Sequence, residues 1–268
     1  MGLWQPYNTI SLGVAALPTT LTGHSCVVIR DTETYSTELV TVECFTNNGS
    51  SITIMGDPAL AGHPSVRLGF VILNASVNIA NVDVVPNVNL NTGIFVSSPN
   101  VTISSVNVID PSGRFSGAGI ALSSWTTVSH TSVTVAHANA YGFLLAGSTM
   151  ATVSYSTAVN NSAGSAAVYL ANAKNNAFTA IFARNNHASG TGFYAAGSDT
   201  NTVTQSSVWG GNFGVNLAAG SDSNAVSLST MIGNAQLGFY ASGSASNTVT
   251  QSYAWGGSYG AIFNTGSS

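Results

Sequence analysis

GFYAAGSDTNTVTQSSVWGGNF, from Gly192 to Phe213, returns 46 residues later as GFYASGSASNTVTQSYAWGGSY, from Gly238 to Tyr259, with 15 of 22 positions identical. Between them lies a looser copy, GVNLAAGSDSNAVSLSTMIGNAQL, from Gly214 to Leu237. A unit this short is one supersecondary element and cannot bury its own apolar face. It is stable only when stacked on its neighbours, so the repeat sets the architecture of the whole chain.

The repeat extends well upstream. A small residue followed by an apolar–x–apolar strand recurs at Gly69, Gly93, Gly119, Gly142, Ala167, Gly192, Gly214, Gly238 and Gly260, at spacings of 22 to 26 residues. A second landmark tracks the first: Val101, Val128, Val153, Phe178, Val203, Val226 and Val249, each followed at once by Thr or Ser. Two residues further on comes a hydroxyl again, at Ser104, Thr131, Ser156, Ser206, Ser229 and Ser252, with Ile181 the exception. Two more residues on comes an apolar or small side chain: Val106, Val133, Ala158, Ala183, Val208, Met231 and Ala254.

Within each unit the strands are short and alternating, punctuated by Gly, Asn and Ser, and no 3.6-residue apolar period is present. The pattern predicts an all-β fold, a right-handed parallel β-helix (solenoid) of about nine to ten rungs. Each strand pairs with its equivalent about 4.8 Å away, giving a rod about 45 Å long. Val203, Val208 and Val215 should point inward, and Thr204, Trp209 and Asn216 outward. Ser206 should turn inward, where a hydroxyl ladder satisfies buried backbone groups.

Residues 1–65 differ and read as an N-terminal cap with the first rungs, ahead of the continuous repeats of 66–268. Thr9 to Leu17 has helical apolar spacing, with Thr9 as N-cap and Pro18 as stop, so a short helix is expected to close the first rung. Strands are predicted at Cys26–Ile29, at Leu39–Val42 and within SITIMGDP. Six of the nine carboxylates precede Ser97, which concentrates charge at this end. At the other end, Gly260-Ala261-Ile262-Phe263 starts a further rung with no polar cap before Ser268. That reads as a piece of a longer array, or as end-to-end association.

Composition narrows the function classes. The 268 residues carry 5 Lys/Arg and 9 Asp/Glu, 5% charged against about 25% in ordinary domains. With 44% hydrophobic residues the chain is not disordered, and no apolar run approaches the roughly 20 residues of a membrane span. A net charge of −4 without a basic stripe argues against nucleic acid. The Ser/Thr/Asn-rich, Lys-poor composition points to an extracellular or cell-surface setting. Met1-Gly2-Leu3-Trp4 lacks the basic start of a signal peptide. Cys26 and Cys44 are candidates for a single disulfide if adjacent strands carry them; the alternative is two small buried hydrophobes.

NTVTQSSVWGGNFGVNL, at 201–217, resembles the NosD-type right-handed parallel β-helix repeats of secreted and periplasmic bacterial proteins, and the likeness runs from about Gly69 to the end. TISLGVAALP…CVVIRDTETYSTELVTV resembles the opening of pectin-esterase-type and pectate-lyase-type β-helices, with Tyr35 and Glu38 in the place of a Gly-x-Tyr-x-Glu-like turn. The overall pattern is similar to very large Ser/Thr-rich bacterial surface β-helix proteins of unknown function. These resemblances imply the fold and leave the function open.

The chemistry that such enzymes use is not legible here. Esterases of this fold need paired Asp with Gln and Arg, and lyases need a calcium-binding carboxylate cluster and a Lys or Arg base. Asp83 and Asp110, the carboxylates of the middle rungs, fall three positions out of register. Arg184 aligns with Asp83 but about four rungs, roughly 19 Å, away. No catalytic residue, metal ligand or cofactor is assigned. His24, His63, His130, His137 and His187 show no metal spacing. Lys174 and Asp199 would be neighbours on adjacent rungs, which reads as a surface ion pair; the alternative is a cation shared by Asp199 and Asp222.

The outward aromatics are the candidate ligand-binding residues. Tyr169, Tyr194 and Tyr240 form one column, interrupted by Asn216; Trp209 and Trp255 form another, separated by Ile232. Alternate rungs put each equivalent pair about 9.6 Å apart, a spacing compatible with stacking on two sugar rings. The alternatives are an aromatic ladder that caps the sheet and a face for packing against another protein. Outward Thr-x-Thr pairs (Thr127/Ser129, Thr152/Ser154, Thr202/Thr204, Thr248/Thr250) resemble ice-binding solenoids, but Ala177 and Ala225 interrupt them. The first functional reading is therefore a non-catalytic extracellular scaffold or adhesin-like module. The second is a polysaccharide-binding or polysaccharide-degrading β-helix protein, and the third is ice binding. The expected partner is a polysaccharide or another surface protein, with no nucleic acid and no membrane insertion.

Overall fold

A computed structural model of the chain describes residues 7–218 and 220–264. Thirty strands are arranged as three ten-stranded sheets, and in each sheet every strand pairs with the one three places on in sequence. All pairings are parallel. The chain therefore coils through sheet one, sheet two and sheet three in turn, for ten rungs, as a right-handed β-solenoid. The first sheet runs from Ser25–Ile29 to Thr248–Thr250, the second from Thr34–Tyr35 to Tyr253–Gly256, and the third from Val40–Val42 to Tyr259–Asn264.

Side-chain direction follows the pleat. Val203, Val208 and Val215 are buried, while Thr204, Trp209 and Asn216 face outward. The core is a set of such columns, with Phe143, Val168, Phe193, Val215 and Phe239 on successive rungs. Large and small side chains alternate along this column, so each ring packs over a shorter neighbour. The small-residue landmark has a steric cause. A Cβ at Gly214 would sit 2.5 Å from the Gly238 carbonyl oxygen, and one at Gly238 2.5 Å from the Trp255 nitrogen.

Two rung corners are held by side chains that imitate the backbone ladder. At the corner entering the first sheet, Asn176, Asn201, Asn224 and Asn247 form a column. The Asn201 carboxamide oxygen accepts from both the backbone N–H (2.9 Å) and the carboxamide (2.9 Å) of Asn176. Asn224 does the same for Asn201, and Asn247 for Asn224. Each carboxamide nitrogen also donates to a carbonyl of the preceding turn, as Asn201 does to Ala173 at 3.0 Å. At the corner leaving the sheet the expected hydroxyl ladder is present. Ser156, Ser206, Ser229 and Ser252 each accept a backbone N–H from the preceding rung. Along these columns the buried backbone donors are paired across rungs, as a water-free corner requires.

Both corners place a residue in the left-handed region on successive rungs. These are Asn100, Trp125, Met150, Asn175, Thr200, Ser223 and Ser246 at one bend, and Ser105, His130, Tyr155, Ala180, Gln205, Leu228 and Gln251 at the other. That conformation turns the chain sharply and lets the following Asn or Ser point inward.

The N-terminal helix spans Ile10–Ala15, with Thr9 as N-cap accepting from the Leu12 N–H. Ile10, Gly13 and Val14 are buried against the first rung, where an open sheet edge would otherwise be bare. Glu38, buried itself, reaches the helix start and accepts from the Ile10 (3.0 Å) and Ser11 (3.1 Å) N–H groups. A carboxylate there satisfies helix donors that have no intrahelical partner. Tyr35 donates to the Asp31 carboxylate at 3.1 Å. The pair implied by the enzyme-like opening thus has a structural role. Of the described residues, those up to Val42 already supply the first strand of each of the three sheets, and Thr34–Tyr35 is a strand the sequence pattern did not reveal.

The register corrects the landmarks on the fourth rung. Ile103, not Val101, pairs with Val128, and Val108, not Val106, pairs with Val133. A slip of two residues keeps every side chain on its own face, so alternation cannot detect it. The Asp83 column continues through Asn107, Ser132, Thr157 and Phe182, so Arg184 does not share it. Ser268 lies outside the described residues, although Tyr259–Asn264 does form the last described strand.

Replacing Asn201 by Ala strands the Asn176 N–H, a loss worth about 1–3 kcal/mol for a buried donor, while the Ala173 carbonyl keeps the Asp199 N–H at 3.1 Å. The variant should unfold about 1–3 kcal/mol more easily in urea, with hydrogen exchange accelerated first at rungs seven to nine. Thr126 tests the same logic in reverse. Its hydroxyl, above the start of the Asn column, is buried without a partner. Thr126→Val should therefore raise the unfolding midpoint by the equivalent of about 1 kcal/mol; a loss of stability would contradict the orphan assignment.

Candidate functional site

The two aromatic columns stand in the predicted register but on different sheets. Tyr169, Tyr194, Asn216 and Tyr240 follow one another on the third sheet. Trp209, Ile232 and Trp255 follow one another on the second. The two sets flank the turn at Gly210, Gly211 and Asn212, so they do not form a single row.

The tyrosines are a stacked ladder. Tyr169 and Tyr194 lie ring on ring at 5.2 Å with an interplanar angle of 9°, and Tyr141 adds a tilted ring at 4.5 Å from Tyr169. Phe213 stacks on Tyr240 at 5.5 Å. Rings arranged this way cover one another's faces and leave edges and hydroxyls outward. Burial raises the phenol pKa of Tyr141 and Tyr169, and neighbouring tyrosines push the same way, so the hydroxyls stay neutral donors. Tyr141 and Phe213 escaped the sequence reading because they sit three residues before the marked column. Between the two stacks the side-chain oxygen of Asn216 is buried without a partner.

The tryptophans are more open to a ligand. Trp209 is half-buried; its Nε1 donates to Ser207 Oγ at 2.8 Å, and Arg184 lies 6.0 Å from the ring centroid. Trp255 is 45% exposed. Their intervening neighbour, Ile232, pairs with both and provides an apolar floor.

A third group was missed. Trp125 (54% exposed) and Met150 (46%) stand side by side at one left-handed bend of rungs five and six. Tyr155 (62%) and His130 occupy the other bend of the same rungs and stack at 5.3 Å. Between them run the strands Thr127–Ser129 and Thr152–Ser154, whose Thr and Ser side chains face outward. The signal was present in the sequence: on these two rungs bulky residues stand at both bends, where the other rungs carry mostly Asn, Ser, Thr, Ala or Gln, with Leu228 the single further bulky exception. The Thr/Ser rows are interrupted by Ala177 and Ala225, as expected.

The charged groups are tied into the scaffold. Asp110 is fully buried and accepts from the Arg114 and Phe115 N–H groups. Asp83 binds His63 at 2.9 Å and Asn107 at 2.8 Å. Lys174 and Asp199 form the expected ion pair at 2.9 Å. The other oxygen of Asp199 accepts from the Asp222 N–H, and Asp222 in turn accepts from the Ala245 N–H. Among the described residues no group of three or more His, Cys, Asp or Glu side chains converges as a metal site. Cys26 and Cys44 are free and exposed, and the expected disulfide is not formed. Cys26 faces outward on the first sheet opposite Thr53, whereas Cys44 follows the third-sheet strand Val40–Val42 in a left-handed turn.

Comparison with known proteins matches residues 116–268 to the family model described as right handed beta helix region. A search of curated protein sequences finds no match. Among solved structures, pectate lyase Pel9A superposes with a TM-score of 0.59 at 14% identity, covering 96% of this chain and 75% of the lyase. Full-length tailspike protein 2 of Escherichia coli O157:H7 bacteriophage CAB120 gives 0.55 at 16% identity, covering 91% of this chain. The enzymatically active domain of tailspike protein 2 from bacteriophage CBA120 gives 0.57 at 14% identity, covering 95%. The chain spans 37% of the full-length tailspike and 42% of the latter. At these identities the likeness is one of fold.

The hydrogen bond from Lys174, supported by the Asp222 N–H and opposed by burial, holds the Asp199 carboxyl below the ordinary Asp value. Its stabilising effect is present above about pH 3.9, the ordinary Asp pKa, and is lost as pH falls through the lower folded value. In Lys174→Ala the Asp199 carboxyl should titrate at higher pH than in the wild type, read by carboxyl-carbon NMR. Equal midpoints would show that the pair does not persist in solution.

Proposed function

The chain belongs to the right-handed beta helix family, and on that premise we propose that it is a non-catalytic, extracellular scaffold that holds polysaccharide against its lateral faces. The observation that carries this reading is the outward Trp209–Ile232–Trp255 column, in which an exposed indole and a half-buried one stand two rungs apart. Indole faces offer apolar area with a polar edge, the complement of a pyranose ring. Rings about 9.6 Å apart match a repeat of roughly two sugars along a chain lying parallel to the solenoid axis.

Three further observations support it. The carboxylates Asp83, Asp110, Asp199 and Asp222 are each engaged in cross-rung or turn hydrogen bonds, which leaves them as parts of the scaffold. The outer surface is rich in Ser, Thr and Asn hydroxyls and amides, suited to exchanging hydrogen bonds with water or sugar. One solved structure sharing the fold is a pectate lyase, which places polysaccharide chemistry on this architecture in at least one other protein.

A glycan array read with the wild type and with a Trp209→Ala/Trp255→Ala double variant tests the proposal. The wild type should retain at least one polysaccharide class, and the double variant should bind that class about tenfold or more weakly. Absence of binding by the wild type across plant, bacterial and algal glycans would remove the polysaccharide reading.

A further inference from the structure

Trp125, Met150, His130 and Tyr155 sit where the backbone least favours them. All four have φ between 50° and 60° or just below it, with Trp125 at 59°, Met150 at 60°, His130 at 50° and Tyr155 at 47°. That region penalises side chains with a Cβ, and bulky ones are rare there. Equivalent bends on other rungs use Asn100, Asn175, Thr200, Ser223 and Ser246 at one corner and Ser105, Ala180, Gln205 and Gln251 at the other, with Leu228 the one further bulky side chain among them. The four residues contribute nothing to the core, since Trp125, Met150 and Tyr155 are about half exposed or more. They also lie on rungs five and six of ten, far from either end of the described solenoid, so their exposure belongs to its lateral wall.

The arrangement is that of a clamp. Within a rung the two bends are five residues apart, which spans at most about 17 Å along the strand direction. The floor between them is the double row of Thr127, Ser129, Thr152 and Ser154, in register across the two rungs. One face of Tyr155 is covered by His130 at 5.3 Å. The next residue in its column is Ala180, a methyl group too small to cover the other face. The nearby charges are closed on each other, Lys174 to Asp199 at 2.9 Å, and the clamp itself carries no carboxylate, lysine or arginine.

Resting on the polysaccharide reading above, we propose that this strip is a second carbohydrate site, specific for a neutral oligosaccharide of about three pyranose rings lying across the solenoid axis. Trp125 and Tyr155 stack on the terminal rings, and the Thr/Ser floor exchanges hydrogen bonds with the ring hydroxyls. The absence of an unpaired cation on the clamp selects against polyuronates, whose carboxylates would be desolvated without a partner. The site is distinct in sheet and in direction from the Trp209–Trp255 column, which would align a chain along the axis.

The test uses isothermal titration with neutral tri- and tetrasaccharides and with oligogalacturonate, on the wild type, Trp125→Ala/Tyr155→Ala, Trp125→Phe/Tyr155→Phe and Trp209→Ala/Trp255→Ala. Circular dichroism and thermal unfolding of each variant confirm the fold. The expected result is binding of a neutral oligosaccharide that is lost at least tenfold in the first variant and largely kept in the second and third. Binding lost only in the Trp209/Trp255 variant overturns the clamp and keeps the broader reading. Equal or tighter binding of oligogalacturonate overturns the neutral specificity. No carbohydrate binding by the wild type overturns both.

Discussion

Everything in this fold depends on each backbone donor meeting its acceptor one rung away. The sheets do this by parallel pairing, and the corners do it with side chains. A solenoid bend buried without water would otherwise leave a donor or acceptor unpaired, and a few such bends at about 1–3 kcal/mol each would consume the net stability of about 5–15 kcal/mol that a fold retains. The Asn and Ser columns remove that cost by setting an amide or hydroxyl in the place of a missing peptide group. The inward Val and Phe columns then supply the burial that no single rung could achieve.

This division of labour also separates structure from recognition. Inward positions are fixed by packing, and corner positions that point inward are fixed by hydrogen bonding. Outward strand positions and the left-handed bends are fixed by neither. The tyrosine ladder shows that an outward column can still be structural, because its rings spend their faces on one another. Trp209, Trp255, Trp125 and Tyr155 retain area that the solenoid does not use.

Much of this was legible in the sequence. The alternation around Val203 and Val208 gave strand, face and rung, because a single-residue slip would invert every side chain. The aromatic columns followed from counting. The fourth rung was misplaced by two residues at Val101 because both Val101-Thr102 and Ile103-Ser104 satisfy the same apolar–hydroxyl pattern, and only backbone pairing distinguishes them. The Asn column was visible as letters, but its direction was not, since Asn is ordinary in an exposed turn and rare inside. Glu38 was marked by a resemblance, yet its bond to a helix 28 residues earlier depends on tertiary closure. The Trp125–Tyr155 clamp was overlooked for a related reason: turn residues are read as punctuation, and their side chains are set aside.

The two near-identical segments lie 46 residues apart, a distance of two rungs. The physical period is one rung, yet Tyr194 matches Tyr240 across Asn216, and Trp209 matches Trp255 across Ile232. The chemical repeat of the outer face is therefore a cassette of two rungs. Such a cassette joins its copy with every ladder already in phase, so the rod can lengthen by duplication without any interface being invented. Each duplication also doubles whatever the outer face displays, and valency grows in step with length.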